Sequence, residues 1–178
     1  TQPFHSSKKL RVWLEKEKHQ RRHDIIPPQV KIAGNYTSSM MAKWKARKNG
    51  YDEIIFTDEK GYITEAPTSN VFIVSNDNVL LTAPEEDVLY GITRKSIIEI
   101  AKDENIEVRE ERILAKDIEN AKEVFLTSSS HLVCPVTKID GSIIGDAKVG
   151  KITDKLKNRF LKISRGSDDF FNYWLMDI

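Results

Sequence analysis

Lys31 is the residue with the clearest potential for covalent chemistry, because apolar Val30 and Ile32 flank it on both sides. This arrangement predicts the edge of a strand with a buried neighbourhood. Burial favours the neutral form of a lysine amine, and a neutral amine attacks a carbonyl carbon and binds it covalently. Taken alone the signal is weak, since most lysines of a globular protein lie on its surface.

Three further features could act together with such an amine. Glu65 ends a predicted strand, and a carboxylate opposite a protonated pyridine would stabilise that ring as an electron sink. Gly91-Ile92-Thr93 leads into a predicted helix, where free N–H groups and a hydroxyl form a cradle for phosphate. A second hydroxyl-rich turn, Thr127-Ser128-Ser129-Ser130, follows another predicted strand. The sequence thus offers an amine, a carboxylate and two phosphate-binding turns.

Metal-binding patterns and other common catalytic motifs are missing from the sequence. There is no G-x-G-x-x-G, P-loop, H-E-x-x-H or nucleophile elbow. Three of the four histidines, His5, His19 and His23, lie in the polar front of the chain, and His131 is interpreted as a structural or surface histidine. A single cysteine, Cys134, cannot build a cysteine zinc site. We therefore predict no metal.

The composition is typical of a globular protein that works in the cytoplasm. Hydrophobic residues make up 39% and charged residues 31% of the 178 residues, and the formal net charge is +1. This charge gives no reason to expect nucleic acid or an anionic membrane as a partner. No apolar run approaches the roughly 20 residues that span a bilayer. Residues 1–9 lack the apolar core of a signal peptide, and one cysteine fits a reducing compartment.

The hydrophobic pattern predicts short strands, mostly joined in hairpins, and fewer helices. Strands are expected at 10–14, 53–56, 62–64, 71–74, 79–81, 106–108, 124–126 and 132–133, and helices at 37–48, 91–102, 115–121 and 152–163. Met40, Met41 and Trp44 share one face of the first helix. The predicted class is α+β, with helices that flank a mainly antiparallel sheet or pseudo-barrel.

The predicted domain boundary lies at the pair Pro27-Pro28, which ends regular structure because proline has no backbone N–H to donate. Residues 1–27 are expected to be a connector or the remnant of a smaller N-terminal domain. Residues 28–178 are expected to form the main domain.

The order of these features resembles one family, the class IV (branched-chain type) aminotransferases that depend on pyridoxal 5′-phosphate (PLP). The likeness runs from about Pro27 to Phe160. It rests on blocks in the same order, namely Val30–Tyr36, Asn49–Glu53, Gly61–Glu65, Asn70–Phe72, Leu89–Arg94, Glu123–Phe125, Pro135–Val136 and Ile139–Gly141. The resemblance implies the PLP-binding large domain of fold-type IV enzymes over residues 28–178, with the small N-terminal lobe largely missing.

The resemblance also implies roles around the cofactor ring. Lys31 matches the lysine that holds PLP covalently and later carries a proton between the substrate carbon and the cofactor. Glu65 matches the partner of the pyridine nitrogen. Tyr36 matches the tyrosine that forms a hydrogen bond with the ring hydroxyl, and Leu89 matches the residue that packs on one face of the ring.

Four more residues match positions that contact the cofactor phosphate or lie next to it. Ile92 and Thr93 match the backbone and hydroxyl contacts at the start of a helix. Ser129 stands where the family has a phosphate-binding threonine, and Ser130 lies beside it on the substrate side.

The activity implied by the resemblance is transfer of an amino group from an amino acid, for which we favour a branched-chain L-amino acid, to a 2-oxo acid such as 2-oxoglutarate. A homodimer is implied as well. Ser69-Asn70 and the turn at 127–130 look more like D-amino-acid transaminases, whereas Gly34-Asn35-Tyr36 looks more like the branched-chain enzymes. A D-amino-acid transaminase and an aminodeoxychorismate lyase therefore remain alternatives on the same fold.

Two hypotheses of another kind stand beside the transaminase. A truncated, non-catalytic homologue would agree with the missing front lobe, but nothing structural requires it to keep Lys31 and Glu65. An unrelated α+β domain would bind no PLP and would form no adduct that borohydride can trap.

Overall fold

A nine-stranded sheet organises the computed structural model of the chain, which describes residues 8–15 and 26–175. The strands are β1 (Leu10–Leu14), β2 (Glu53–Ile55), β3 (Glu65–Ala66), β4 (Ser69–Val74), β5 (Leu80–Thr82), β6 (Val108–Glu110), β7 (Glu123–Ser128), β8 (Leu132–Ile139) and β9 (Ser142–Ile143). The helices are α1 (Gly34–Lys48), α2 (Ile92–Asp103) and α3 (Lys151–Ser164), with short 3-10 helices at Glu85–Asp87, Ala115–Asn120 and Asp169–Trp174.

The sheet is mainly antiparallel. Its strand order is β2-β1-β8-β7-β4-β5-β6, with β3 beside β4 and β9 beside β8. The pairs between β3, β4, β5, β7, β8 and β9 are antiparallel, whereas β1 runs parallel to β2 and β8, and β5 runs parallel to β6. The predicted α+β class, a mainly antiparallel sheet with flanking helices, is confirmed.

Strand β1 shows that residues from the predicted connector fold with the sheet. It lies between β2 and β8, and its side chains Val12 and Leu14 are buried in the core. The strand predicted at 10–14 is therefore confirmed. Most of the predicted connector, residues 1–7 and 16–25, lies outside the described residues, and the division of the chain at Pro28 stays a prediction.

The core occupies both faces of the central strands. In β4, Val71 and Ile73 belong to one hydrophobic cluster, and Phe72 and Val74 belong to the other. Phe72 stacks on Phe125 of β7 with ring centroids 5.1 Å apart. The second cluster also contains apolar residues of α2 and α3, so both helices pack on the Phe72 face. Burial of both faces fixes the register of these strands, since a slip of one residue would exchange the faces.

Helix α1 differs from its prediction in its start, and its buried face consists of small residues. It begins at Gly34, three residues earlier than expected, and its small residues Ala42 and Ala46 pack on β2. Met40, Met41 and Trp44 are exposed instead. Small side chains at these positions let the helix approach the sheet closely, which leaves the larger apolar residues on the outer side.

One local prediction was wrong in type. In place of a strand at 62–64, Tyr62 and Ile63 form isolated bridges, with Leu114 and Thr57 respectively. The short helix predicted at 115–121 is confirmed as a 3-10 helix at Ala115–Asn120.

A buried carboxylate from β7 caps the start of α3. Glu123 accepts hydrogen bonds from the N–H of Ile152 at 3.0 Å, the N–H of Thr153 at 2.7 Å and the hydroxyl of Thr153 at 2.7 Å. A Cβ atom on Gly150 would overlap this carboxylate, so the cap requires glycine at that position. Negative charge at a helix N-terminus satisfies N–H groups that have no partner within the helix.

The cap predicts a loss of stability in the variant Glu123→Gln. The amide keeps one acceptor and turns a donor toward the helix N–H groups, so the free energy of unfolding should fall by roughly 2 kcal/mol. Urea denaturation measures this change, and Glu111→Gln, at an exposed carboxylate, is the control. Equal urea midpoints for Glu123→Gln and the control would contradict the assignment.

An ionic network joins the C-terminal end of α2 to α3. Arg159 forms a hydrogen bond with Glu104 and ion pairs with Asp103 at 2.7 Å and Asp168 at 2.9 Å. Lys155 contacts Glu104 at 2.5 Å. Hydrogen bonds from Lys155 and then from Arg159 hold the pKa of the Glu104 carboxyl below its usual value.

This lowered pKa predicts a dependence of stability on pH. The pKa of Glu104 is lower in the folded than in the unfolded chain. Its contribution to folding stability is therefore complete at pH values above the unfolded pKa of about 4.3, and it is lost as the pH falls through the folded pKa. Glu104→Gln should lower the unfolding free energy at pH 7 by about 1 kcal/mol and less at low pH. Thermal unfolding between neutral and acidic pH checks this, with Glu99→Gln as the control on the same helix. A constant difference from wild type across that range would refute the role.

Candidate cofactor-binding cleft

A cleft of about 560 Å³ lies where four segments of the chain meet: residues 29–36, 65–70, 89–93 and 127–130. Its volume is within the range of small-molecule and cofactor sites. All eight residues predicted for the site line it, namely Lys31, Tyr36, Glu65, Leu89, Ile92, Thr93, Ser129 and Ser130. The fold thus brings together residues that are up to 99 positions apart in sequence (Lys31 to Ser130).

Glu65 is the buried carboxylate of the cleft. It lies on β3 opposite Asn70 of β4, and only 3% of the residue is exposed. The backbone N–H of Leu89 donates a hydrogen bond to Glu65 Oε2 at 3.3 Å. Burial of a carboxylate costs free energy that donors or a cation must offset, so this group is suited to a protonated partner in the cleft.

The N-terminus of α2 opens into the same cleft. Among the described residues no side chain caps this helix, and its first turn contains no acidic residue. The first N–H groups of a helix have no partner within it and carry partial positive charge, which favours a phosphate. Thr93 is buried there beside these groups, whereas Ile92 is 80% exposed, so Ile92 offers its backbone rather than its side chain.

The turn between β7 and β8 supplies a row of hydroxyl groups. Thr127 is 1% exposed, and its Oγ1 has no hydrogen-bond partner among the described residues. Ser128 Oγ lies 3.3 Å from Ser130 Oγ and accepts a hydrogen bond from the N–H of His131. Ser130 Oγ in turn lies 2.9 Å from His131 Nδ1, so this exposed histidine contacts the rim of the cleft.

The segment that carries Lys31 differs from its prediction. Val30 is 40% and Ile32 44% exposed, and residues 30–32 are irregular, so the predicted strand edge with a buried neighbourhood was wrong. The carbonyl of Val30 accepts the N–H of Ile32 at 3.1 Å and the side-chain amide of Asn35 at 2.8 Å. These local contacts direct the chain into helix α1, and they use the Val30 carbonyl, which a neighbouring strand would otherwise need.

Gln29 anchors the Lys31 segment to a distant part of the chain. Its side-chain amide donates to the carbonyls of Glu85 at 3.2 Å and Glu86 at 2.7 Å. These carbonyls belong to the 3-10 helix just before Leu89, so the contact connects the lysine segment to the loop that leads into α2.

Sequence reasoning missed Gln29 and Asn70 as residues of the cleft, and it named Thr127 only as a member of the hydroxyl-rich turn at 127–130. Asn70 pairs with Glu65 on one side and with Thr127 on the other, which places all three on one face of the sheet. Only the strand register reveals this row, because the three residues belong to separate sequence motifs. Counting pairs outward from the two-residue turn at 67–68 would have matched Glu65 with Asn70, but the pairing of Asn70 with Thr127 requires the register of two distant strands.

Metal-binding clusters and membrane-spanning helices are absent from residues 8–15 and 26–175. Within these ranges no group of three or more His, Cys, Asp and Glu side chains is arranged to hold a metal ion. None of the helices in the same ranges has the length and apolar character needed to cross a bilayer. Burial raises the pKa of the Cys134 thiol, so this cysteine is not activated as a thiolate.

Comparison with known proteins identifies the family. The family described as amino-transferase class IV matches residues 2–139. A probable branched-chain-amino-acid aminotransferase of Aquifex aeolicus (strain VF5) is 37% identical over 161 residues, which are 89% of this chain and 52% of the relative. The chain thus spans about half the length of that relative.

Solved structures share the fold. The branched-chain aminotransferase of Thermoproteus uzoniensis, solved with norvaline, superposes with a TM-score of 0.89 at 30% identity, covering 97% of this chain and 57% of that one. The branched-chain amino acid aminotransferase of Thermobaculum terrenum in its PLP form has a TM-score of 0.92 at 26% identity, covering 99% and 57%. With the family match over most of its length, the chain belongs to the class IV aminotransferases.

Proposed function

We propose that this chain is the cofactor-binding large domain of a PLP-dependent transaminase, with Lys31 as the covalent anchor. The single observation that carries the proposal is the cleft, which collects a lysine, a buried carboxylate, an uncapped helix N-terminus and a hydroxyl-rich turn. The PLP form of the Thermobaculum structure supports the choice of cofactor.

The residues present fit the chemical groups of PLP. Glu65 offers a buried acceptor for a protonated ring nitrogen, and Leu89 offers an apolar side chain for one face of the ring. Tyr36 offers a hydroxyl for the ring oxygen. The N-terminus of α2 and Thr93 offer donors for the phosphate, and the buried Thr127 Oγ1 still needs a hydrogen-bond partner.

The phosphate has two more hydroxyl groups available across the cleft. Ser129 and Ser130 lie on the turn that faces the α2 N-terminus, and both are exposed to an incoming ligand. Ser129 is assigned to the phosphate, and Ser130 to the boundary between phosphate and substrate.

In the proposed reaction, PLP supplies a ring that withdraws electrons from the α carbon of the amino acid. Lys31 Nζ would hold the cofactor covalently, and as a free amine it would move the proton between the α carbon of the substrate and the cofactor. Glu65 would keep the ring nitrogen protonated, and the phosphate contacts would hold the ring in place.

The substrate is proposed to be a branched-chain L-amino acid with a 2-oxo acid as acceptor, in agreement with the names of the Aquifex and Thermoproteus proteins. A homodimer in the cytoplasm belongs to the same proposal. The hydroxyl-rich turn at 127–130 and Ser69-Asn70 favour the alternative of a D-amino-acid transaminase, and the handedness of the accepted donor separates the two. A truncated, non-catalytic homologue would accept no donor.

The anchor is tested by reduction of the full chain with borohydride in the presence of PLP, followed by peptide mapping. We expect a visible absorption band and a pyridoxyl group on Lys31. Lys31→Ala should lose both, whereas Lys95→Arg, at an exposed lysine of α2, should keep them. A folded wild-type protein that carries no label, or a label on another lysine, would overturn the proposal.

The carboxylate is tested by following the spectral change of the PLP-loaded protein when an amino acid donor is added. For the wild-type protein, the spectral change should be faster with L-leucine than with D-alanine as the donor.

Glu65→Gln should slow the spectral change by roughly a hundredfold, because an amide does not hold the proton on the ring nitrogen. Glu86→Gln, at an exposed carboxylate near the cleft, is the control and should react at the wild-type rate. An unchanged rate in Glu65→Gln would rule out its assigned role.

A further inference from the structure

Three polar residues stand in register across the floor of the cleft. Glu65 of β3 is opposite Asn70 of β4, and Asn70 is opposite Thr127 of β7. All three are buried, and all three line the cleft. Asn70 is therefore the central member of the row, although the proposed function gives it no contact with the cofactor.

Glu65 and Asn70 hold the backbone of Leu89 from both sides. The Leu89 N–H donates to Glu65 Oε2 at 3.3 Å, and Asn70 Nδ2 donates to the Leu89 carbonyl at 2.8 Å. The N–H of Gly91 donates to the same carbonyl at 2.8 Å. The short segment from Leu89 to Gly91 is thus attached to the sheet through one cross-strand pair.

The side-chain oxygen of Asn70 restricts which residue fits at position 91. A Cβ atom on Gly91 would lie 2.3 Å from Asn70 Oδ1, and no other atom would come within 3.4 Å. The backbone of Gly91 has φ −71° and ψ 135°, which any residue adopts. Asn70, and not backbone conformation, therefore requires glycine at the start of α2.

We propose that Asn70 is a positioning residue that sets the distance between the buried carboxylate and the phosphate-binding N-terminus of α2. It does so by fixing the Leu89–Gly91 segment, which carries the side chain for the ring face at one end and the helix start at the other. In its cofactor part this inference rests on the proposed function.

Asparagine is suited to this task because its amide has a donor and an acceptor. The donor satisfies the Leu89 carbonyl, and the compact acceptor fits against Gly91. Aspartate would place an oxygen against the Leu89 carbonyl and a second carboxylate next to Glu65, while alanine would leave the carbonyl without its side-chain donor. The contact is partly buried, so solvent replaces the lost hydrogen bond only in part.

The positional part is tested without cofactor, by amide hydrogen exchange of the full chain. Asn70→Ala should speed exchange at the Leu89–Gly91 amides about tenfold, since the partly buried hydrogen bond from Asn70 to the Leu89 carbonyl no longer holds the segment. Amides of β5, away from this contact, should keep their rates. Exchange at Leu89 and Gly91 that stays at the wild-type rate would overturn the proposal.

The cofactor part is tested by titrating the cofactor-free chain with PLP and with pyridoxal, which lacks the phosphate. Asn70→Ala should weaken the binding of PLP about tenfold and the binding of pyridoxal much less, because the helix N-terminus that binds the phosphate is no longer held in position. Asn76→Ala, at an exposed asparagine, is the control. Equal losses for the two ligands would mean a general loss of structure and would reject the positioning role.

A double-mutant cycle adds a result that only the Asn70–Gly91 contact predicts. Gly91→Ala should weaken PLP about as much as Asn70→Ala, because its methyl group displaces the amide. In the Asn70→Ala background the clash is gone, so Gly91→Ala should cost little more. Additive losses would contradict the proposal. If wild type bound no PLP, the proposed function would fail, and the exchange experiment would still decide whether Asn70 holds the segment.

Discussion

The pairing of β4 with β7 is the constraint on which the rest of the structure depends. It places Asn70 opposite Thr127, Phe72 opposite Phe125 and Val74 opposite Glu123, so one face of two strands carries three kinds of function. The polar end forms the floor of the cleft, the aromatic centre packs against α2 and α3, and the carboxylate end caps α3. A slip of one residue would turn all of these side chains to the opposite face.

The helices that pack on this face of the sheet hold the walls of the cleft in fixed positions. Helix α2 presents its N-terminus to the cleft, while its far end is tied to α3 by Arg159 and Glu104. Helix α3 begins at the Glu123 cap on β7. The helix that would bind phosphate is therefore braced against the strand that supplies Thr127, and the distance between the two walls is set by the core.

Sequence reasoning recovered the parts of the site that lie in short local motifs. Glu65, Thr93 and Ser129 each follow or precede a regular element with a recognisable pattern, and the order of the motifs identified the family. The helix that carries Thr93 and the strand that leads to Ser129 were predicted for the same reason, since their apolar spacing is local, whereas the short strand β3 that carries Glu65 was not. The parts that were missed depend on contacts between distant segments. Gln29 meets Glu86 from 57 residues away, and Asn70 meets Leu89 from 19 residues away.

The wrong prediction around Lys31 has a local origin. Its apolar neighbours suggested a buried strand edge, but the Val30 carbonyl accepts hydrogen bonds from the Ile32 N–H and the Asn35 side-chain amide within a local turn. For α1 the sequence placed Met40 and Trp44 on one face without assigning that face to the core. Close approach to β2 buries the small residues Ala42 and Ala46, so the buried face of this helix depends on tertiary packing.

The central proposal is that this cleft holds a phosphorylated pyridine between Glu65 and the start of α2. A crystal structure of the full chain grown with PLP tests it most directly. We expect the ring nitrogen within hydrogen-bond distance of Glu65, the phosphate on the N–H groups of Ile92 and Thr93, and continuous electron density from the cofactor to Lys31. PLP attached to another lysine, or a phosphate bound away from α2 with the cleft filled by solvent, would contradict it.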